Sequence, residues 1–315
     1  MLVVCGEALV DLISDGSPAG YQARPGGSPL NVAVGTARLG LQTSLLARFA
    51  TGGFGPLLRG HAVASGINLS LSVTASDPAT IAVVSLDPAG TASYEFYVEG
   101  TTESGWQESE LPDRLPPADR GLHIGSIASW REPAAALIAD LAVREHNRGV
   151  ALISFDPNLR PALVEDRSRA RVEDLVEVAH LVKVSVEDLR WLYPGEDPDV
   201  TALRWSTLGP GLVVLTDGAD RVRAYRPRRV VRALPATTIS VLDTVGAGDA
   251  FSAGLLAALA ERGRLCAHGL DGLEDVELDA MLTSAGLVAA ITCTRAGADP
   301  PNRAERDAFA ASLRR

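Results

Sequence analysis

Short apolar runs alternate with amphipathic ones along most of this 315-residue chain, and that rhythm limits the fold more than any other feature. LVVC (2–5), SLLARFA (44–50), GLHIGS (121–126), ALISFDP (151–157), LVKVS (181–185) and GLVVLTDG (211–218) read as strands. SPLNVAVGTARLG (28–40), residues 56–65, PAAALIADLAVREH (133–146) and residues 168–179 read as helices, and the strand at 181–185 leads into EDLRWLY. Three more helices are expected near 248–262, 276–291 and 303–313. Alternation of this kind implies a mainly parallel sheet with helices on both faces. Ser28 is expected to cap the first helix, Pro29 to fill its first position and Gly40 to stop it. MLVVCGEALVDLI lacks the basic flank of a signal peptide and reads as a buried strand.

The rhythm breaks once. LSLSVTA (69–75), TIAVVSLD (80–87) and TASYEFYV (91–98) are β-rich, with a turn expected at DPAG, and they read as hairpins. The expectation is a single α/β domain over residues 1–315, with a small β-sheet lid built from about 10–24 and 69–101 and closing over a cleft. VRAYRP and VVRALPA are expected to pair as antiparallel strands.

Composition removes several classes. Twenty-nine basic residues face 39 acidic ones, the net charge is −10 and no basic run occurs. Binding to a phosphate backbone needs the opposite, so no nucleic-acid partner is expected. Three cysteines without a CxxC spacing point to a reduced, cytoplasmic setting rather than a disulfide framework. No apolar run is judged long enough to span a bilayer, so no membrane partner is expected. A P-loop needs Gly-Lys-Ser/Thr, and the only lysine is Lys183, which follows a valine. No GxGxxG follows the first strand, and the five histidines show no HExxH, so dinucleotide and zinc sites are not indicated. AFSAG (250–254) imitates the hydrolase GxSxG, but Ser252 is expected inside a helix rather than at a strand-to-helix elbow.

In open α/β sheets ligands sit beyond the carboxyl ends of the strands. The residues placed there are Asp11, Asp156 to Arg160, Ser185 to Asp188, Thr216 to Gly218 and the stretch DTVGAGDAF (243–251). In that stretch Gly246 and Gly248 free the backbone to turn its N–H groups outward. The start of a helix adds unsatisfied N–H groups and a positive dipole end, together an anion hole suited to phosphate. Asp249 then stands in the first turn. A carboxylate there repels a phosphate unless it takes a proton from an attacking hydroxyl while the hole neutralises the transferring group. Taken alone, the stretch reads equally as a glycine turn before an ordinary N-terminal helix acid.

DTVGAGDAFSAGLL closely resembles the C-terminal signature of the ribokinase-like (PfkB) sugar kinases, and GGSPLNVAVGTARLG (26–40) resembles their glycine-rich N-terminal signature. The two lie in the expected order at the expected ends, and the resemblance covers essentially the whole chain. It implies a ribokinase-like three-layer α/β/α sandwich. VVCGEALVDLI, YEFYVEGT and SFDPNLRP are similar to stretches common in the fructokinases of that family. The resemblance implies a cytoplasmic ATP- and Mg2+-dependent kinase, with K+ as a further ion, that phosphorylates a sugar hydroxymethyl group. A 2-keto-3-deoxygluconate kinase, another sugar or nucleoside kinase, and a sugar-binding regulator without turnover stay open as alternatives. A homodimer through the lid is a further expectation.

Roles follow from the same resemblance. Asp249 is similar to the catalytic base, and the amides of Ala247, Gly248 and Asp249, after Gly246, to the anion hole. Asp11 and Asn31 are similar to sugar ligands; the alternatives are a turn acid and a capping amide. Gly26 and Gly27 are expected to let the backbone approach the sugar. Asn158 and Arg160 face the cleft, where Arg160 clamps phosphate or sugar oxygens or else makes a surface ion pair; with one lysine in the chain, no ammonium is evident for the phosphates. Ser185, Thr216, Gly218 and Gly248 fall on the nucleotide side, near TRAGADPP (294–301), which resembles the adenine-side loop. Asp188 is expected to reach magnesium through water, and Asp243 to hold a monovalent cation. Three stretches depart from the family pattern: Ser185 to Asp188 stands where N-x-x-E is common, Gly52 and Pro56 flank FG where aspartate and arginine are common, and Asp217 and Arg221 stand where relatives often carry other residues.

Overall fold

The computed structural model describes residues 1–14, 16–17, 20–86, 92–118, 120–227, 229–237 and 239–313. Its strands are β1 (Leu2–Cys5), β2 (Leu9–Ser14), β3 (Tyr21–Gly26), β4 (Thr43–Leu46), β5 (Arg48–Ala50), β6 (Val73–Ala75), β7 (Ile81–Leu86), β8 (Ala92–Tyr97), β9 (Gly121–Gly125), β10 (Leu152–Asp156), β11 (Leu181–Ser185), β12 (Leu212–Asp217), β13 (Arg221–Arg226) and β14 (Arg229–Pro235). Its helices are α1 (Ser28–Arg38), α2 (Gly55–Ala64), α3 (Ile127–Trp130), α4 (Ala134–Arg148), α5 (Ser168–Val178), α6 (Val186–Leu192), α7 (Pro198–Trp205), α8 (Ala247–Glu261), α9 (Asp275–Cys293) and α10 (Arg303–Ser312).

The large sheet runs β14-β13-β12-β11-β10-β9-β1-β4, parallel from β4 to β12 and antiparallel at β13 and β14. Side chains of β1 alternate between two cores, as the pleat requires. Val3 and Cys5 join the core with Ile138, Leu175 and Leu189 of α4, α5 and α6. Leu2 and Val4 join the one with Val32, Leu58, Leu255 and Met281 of α1, α2, α8 and α9. Helices therefore cover both faces, giving three layers.

The N-terminal run is not one strand. Gly6 adopts φ 146° and packs against Pro29, where a Cβ would come within 2.5 Å of the proline Cγ. The chain turns there, so β1 stays in the large sheet while β2 enters a four-stranded sheet of order β3-β2-β7-β8. In that sheet β2 runs antiparallel to β3 and parallel to β7, and β7 runs antiparallel to β8. SLLARFA also divides: β4 lies in the large sheet, and β5 pairs in parallel with β6. The only strand within LSLSVTA is therefore β6, which belongs to that two-stranded sheet and not to the small sheet expected as a lid. The turn expected at DPAG lies outside the described residues. Periodicity did not foretell α3 or α7, and the helix expected over 133–146 is α4.

One exclusion needs correction. The 19-residue α9 is long and apolar enough to cross a membrane by length and composition, with a mean hydropathy of 1.5 over its best window. Half of that window is buried, and Leu278, Met281, Leu282 and Ala285 pack into the core shared with α8.

Candidate active site

Two helix starts converge beyond the carboxyl end of the large sheet. Gly27, at φ 100°, precedes α1, and Ser28 is its first residue. Ser28 does not cap that helix; its hydroxyl donates to Asp249 Oδ1 at 2.6 Å. The Asn31 amide donates to Asp249 Oδ2 at 2.9 Å and the Asn158 amide to Oδ1 at 3.0 Å. Asp249 is 5% exposed in the first turn of α8. Three neutral donors from α1 and the β10 loop thus fix both oxygens of the one carboxylate.

The loop before α8 is shaped by its neighbours. Gly246 has φ 75°, and a Cβ there would come within 2.5 Å of Ala298 Cβ. The Ala247 amide turns back to the Thr244 carbonyl at 3.2 Å and so leaves the anion hole that was expected to include it. The amides of Gly248 and Asp249 have no protein acceptor among the described residues. They stand at the positive end of the α8 dipole, where an anion is favoured.

Below this turn lies a buried polar group that sequence reasoning placed nowhere near the phosphates. Lys183 Nζ donates to Asp156 Oδ2 at 3.0 Å, and the Ser252 hydroxyl donates to the same oxygen at 3.1 Å. Burial pushes Asp156 up to about 6 despite the pull of Lys183. Burial pulls Lys183 down, but the charges of Asp156, Asp188 and Asp249 and the Asp156 hydrogen bond outweigh it, so its ammonium sits above the usual lysine value. Ser252, the hydrolase imitation, lies inside α8 and serves this pair.

A cavity of about 410 Å³ opens over Asp249 and is lined by Glu7, Asp11, Gly27, Asn31, Asn158, Arg160 and Gly246 to Gly248, with Tyr94 and Phe96 of β8 above. Asp11 comes from β2 in the small sheet, not from the end of the first strand. Burial pushes it up to about 6; Arg160 draws it down and Asp249 adds to the rise. The space left by the two glycines is filled by protein: a Cβ on Gly26 would lie 2.0 Å from Asp11 Oδ2, and one on Gly27 would lie 2.9 Å from the Glu7 carbonyl. They make room for Asp11 and for Glu7, and Gly27 also lines the cavity. Arg160 Nη1 donates to Asn158 Oδ1 at 2.6 Å and to the carbonyls of Asn158 and Leu159. Sequence reasoning passed over Glu7, which is buried beside Ser126 and Ala128 with its carboxyl raised chiefly by burial. Its only signal was an acid inside an apolar run.

The remaining expected residues do not line this cavity. Ser185 and Thr216 are register partners at the ends of β11 and β12, and Gly218 follows at φ 48° with open space around it. Asp188 accepts from Leu159 N and from Ser185 N and Oγ, closing a capping box on α6. Asp243 accepts from Val245 N and from Gly297 N at 2.7 Å, so it ties the 294–301 loop to the approach of α8. Arg24 of β3 reaches the Ala296 carbonyl of the same loop at 3.4 Å and links it to the small sheet.

Comparison with known proteins agrees with this arrangement. The sequence profile described as the pfkB family carbohydrate kinase matches residues 1–305. A fructokinase of Rhizobium leguminosarum bv. trifolii is 36% identical over 264 residues, 82% of this chain and 79% of that protein. A fructokinase of Klebsiella pneumoniae is 34% identical over 267 residues, covering 82% and 84%. Among solved structures, Xylella fastidiosa fructokinase with bound ATP superposes with a TM-score of 0.89 at 25% identity, over 100% of this chain and 99% of that one. A Vibrio cholerae O395 fructokinase double mutant with fructose, ADP and potassium ion bound superposes at 0.84 with 28% identity, covering 98% and 97%. Two helix starts meeting at one carboxylate, two open amides beside it and a family match over nearly its whole length make this chain a member of the pfkB family of carbohydrate kinases.

Proposed function

We propose that the protein is an ATP-dependent fructokinase. The observation that carries this is Asp249, a buried carboxylate at the start of α8 beside two unpartnered amides, on the floor of a polar cavity. Asp249 takes the proton of the sugar hydroxymethyl group as its oxygen attacks the γ-phosphorus. The bond to the β-phosphate oxygen breaks and ADP leaves. The amides of Gly248 and Asp249 face the charge on the transferring group, where fixed donors act most strongly. Positioned proton removal contributes roughly 10²–10⁴-fold. Asp11 accepts hydrogen bonds from sugar hydroxyls, and Asn31 and Asn158 pass from Asp249 to the sugar as the hydroxyl takes their place.

Fructose as acceptor is supported by the fructokinases among the relatives, including the structure with fructose bound. The small sheet acts as the lid of the cleft, since its Tyr94 and Phe96 stand above the cavity. Asp188 Oδ1 accepts one protein hydrogen bond, and a carboxylate oxygen has room for a second donor, so its reach to magnesium through water stays part of the proposal. No group of three His, Cys, Asp or Glu side chains able to hold a metal ion occurs among the described residues. Magnesium therefore belongs to the proposal as a companion of the nucleotide phosphates, and no step here depends on it. K+ beside Asp243 is the other ion proposed, on the strength of the potassium-bound relative. The three free thiols support a cytoplasmic location. Exposed Tyr21, Tyr94 and Tyr97 on the lid strands support a homodimer through that sheet, which sedimentation checks.

The test is ADP release from MgATP, with KCl or NaCl, across fructose, ribose, 2-keto-3-deoxygluconate, glucose and adenosine. A strong preference for fructose is expected. Preference for another acceptor overturns fructose while keeping the kinase, and no turnover with any acceptor overturns both.

A further inference from the structure

Lys183 is the chain's single lysine, and it ends in the core rather than in solvent. Its Nζ lies beneath the first turn of α8. A Cβ built on Gly248 would come within 3.0 Å of it. Gly248 is thus small because an ammonium stands behind it. The anchor below is asymmetric: Asp156 Oδ2 accepts from Lys183 and Ser252, while Asp156 Oδ1 is buried with no partner.

Packing alone does not account for this charge. A buried ion pair gives up the hydration of both ions, and apolar residues of similar volume are often as stable. The surroundings are already acidic: Asp156 on β10, Asp188 on α6 and Asp249 on α8 all act on the ammonium. His123 on β9 also faces it, but burial and the ammonium hold its ring down at about 3, so it brings no positive charge of its own. One cation therefore offsets three carboxylates directly under the two open amides.

Resting on the kinase reading above, we propose that Lys183 is a positioning residue for phosphoryl transfer: from behind Gly248 its ammonium keeps the first turn of α8 electropositive toward the transferring group and keeps Asp249 ionised toward the attacking hydroxyl. It touches neither substrate. It acts through the Gly248 and Asp249 backbone and through the field at the Asp249 carboxylate. Phosphate sites in many folds place a lysine in the loop itself; here the same charge comes from the adjacent sheet, behind the amides. The arrangement suits a hole that must accept a charge only during transfer, since a fixed, desolvated cation needs no reorganisation when that charge arrives.

The test is Lys183→Met, which keeps length and removes charge. The expected result is a kcat lowered about 10²-fold with the KM for fructose held within about threefold, because the interaction is made in the transition state. A merely structural lysine lowers stability and leaves kcat near normal; a near-normal kcat, or a KM that rises as much as kcat falls, overturns the proposal. Should Lys183→Met not fold, Lys183→Gln serves instead, since it removes the charge and keeps a donor for Asp156; the same fall in kcat with KM held is expected, and a near-normal kcat overturns the proposal. Titration of the Asp249 carboxyl by 13C NMR, wild type against variant, needs no turnover. An upward move there supports the lysine's role even if no sugar is phosphorylated, and an unchanged titration overturns it, so failure of the kinase reading and failure of this one are told apart.

Discussion

Ser28 Oγ lies 2.6 Å from Asp249 Oδ1, a contact that joins the first turns of α1 and α8 across 221 positions of sequence. It brings two positive helix ends to one carboxylate and makes the start of α1 part of the cavity floor. Ser28→Ala removes a hydrogen bond to a charged group, so kcat is expected to fall about tenfold. A coupled ADP-release assay checks this, and a rate within twofold of wild type contradicts it.

Gly26 leaves room for the Asp11 carboxylate, whose Oδ2 stands 2.0 Å from where a Cβ would be. Gly26→Ala must displace that carboxylate from the cavity wall. The KM for fructose is expected to rise about tenfold with a smaller change in kcat, the pattern of lost uniform binding. Steady-state kinetics separate the two constants.

Burial raises Asp11 to about 6, so it is ionised at pH 7 and takes up its proton as the pH falls through 6. A protonated Asp11 accepts fewer hydrogen bonds from a diol. The KM for fructose is therefore expected to be flat above pH 7 and to climb between pH 6.5 and pH 5, by about tenfold per unit once Asp11 is mostly protonated. Asp156 also stands at about 6, so kcat carries its own dependence in this range. Asp11→Asn is expected to abolish the step in KM and leave the one in kcat, which pH-resolved kinetics of both proteins test.

Arg160 Nη1 holds Asn158 Oδ1 at 2.6 Å, and the Asn158 amide holds Asp249 Oδ1 at 3.0 Å. Among the described residues Arg160 is joined to Asp249 through Asn158. The losses in kcat for Asn158→Ala and Arg160→Met are expected to be non-additive, coupled by about 1 kcal/mol, as residues of one network are. Additive losses in a double-mutant cycle contradict the relay.

Much of this was legible in the sequence, and the parts that were not share physical causes. Alternating βα runs identify the parallel sheet, and DTVGAGDAF places a carboxylate at a helix start, because both are local patterns. The break at Gly6 was not legible, since MLVVCGEALVDLI is apolar on both sides of it and only a positive φ packed against Pro29 sends β2 into a second sheet. Ser28 reads as a cap because Ser-Pro before an apolar run is a cap signal, whereas its hydroxyl is drawn instead to a carboxylate 221 positions away. Lys183 reads as a single charge in a strand; only its place in the sheet sets it under Gly248 of α8, 65 positions beyond it. The apolar α9 was misjudged because its acids cluster at the N-terminal end, leaving an unbroken run behind them.

The central claim is that Asp249 is the base of a sugar kinase, and Asp249→Asn tests it most directly. ADP release and fructose phosphate formation would be measured beside fructose and ATP binding by calorimetry. The account predicts binding of both ligands within about threefold of wild type and a kcat at least ~10²-fold lower. A variant that binds both ligands and turns over at a near-normal rate would contradict it.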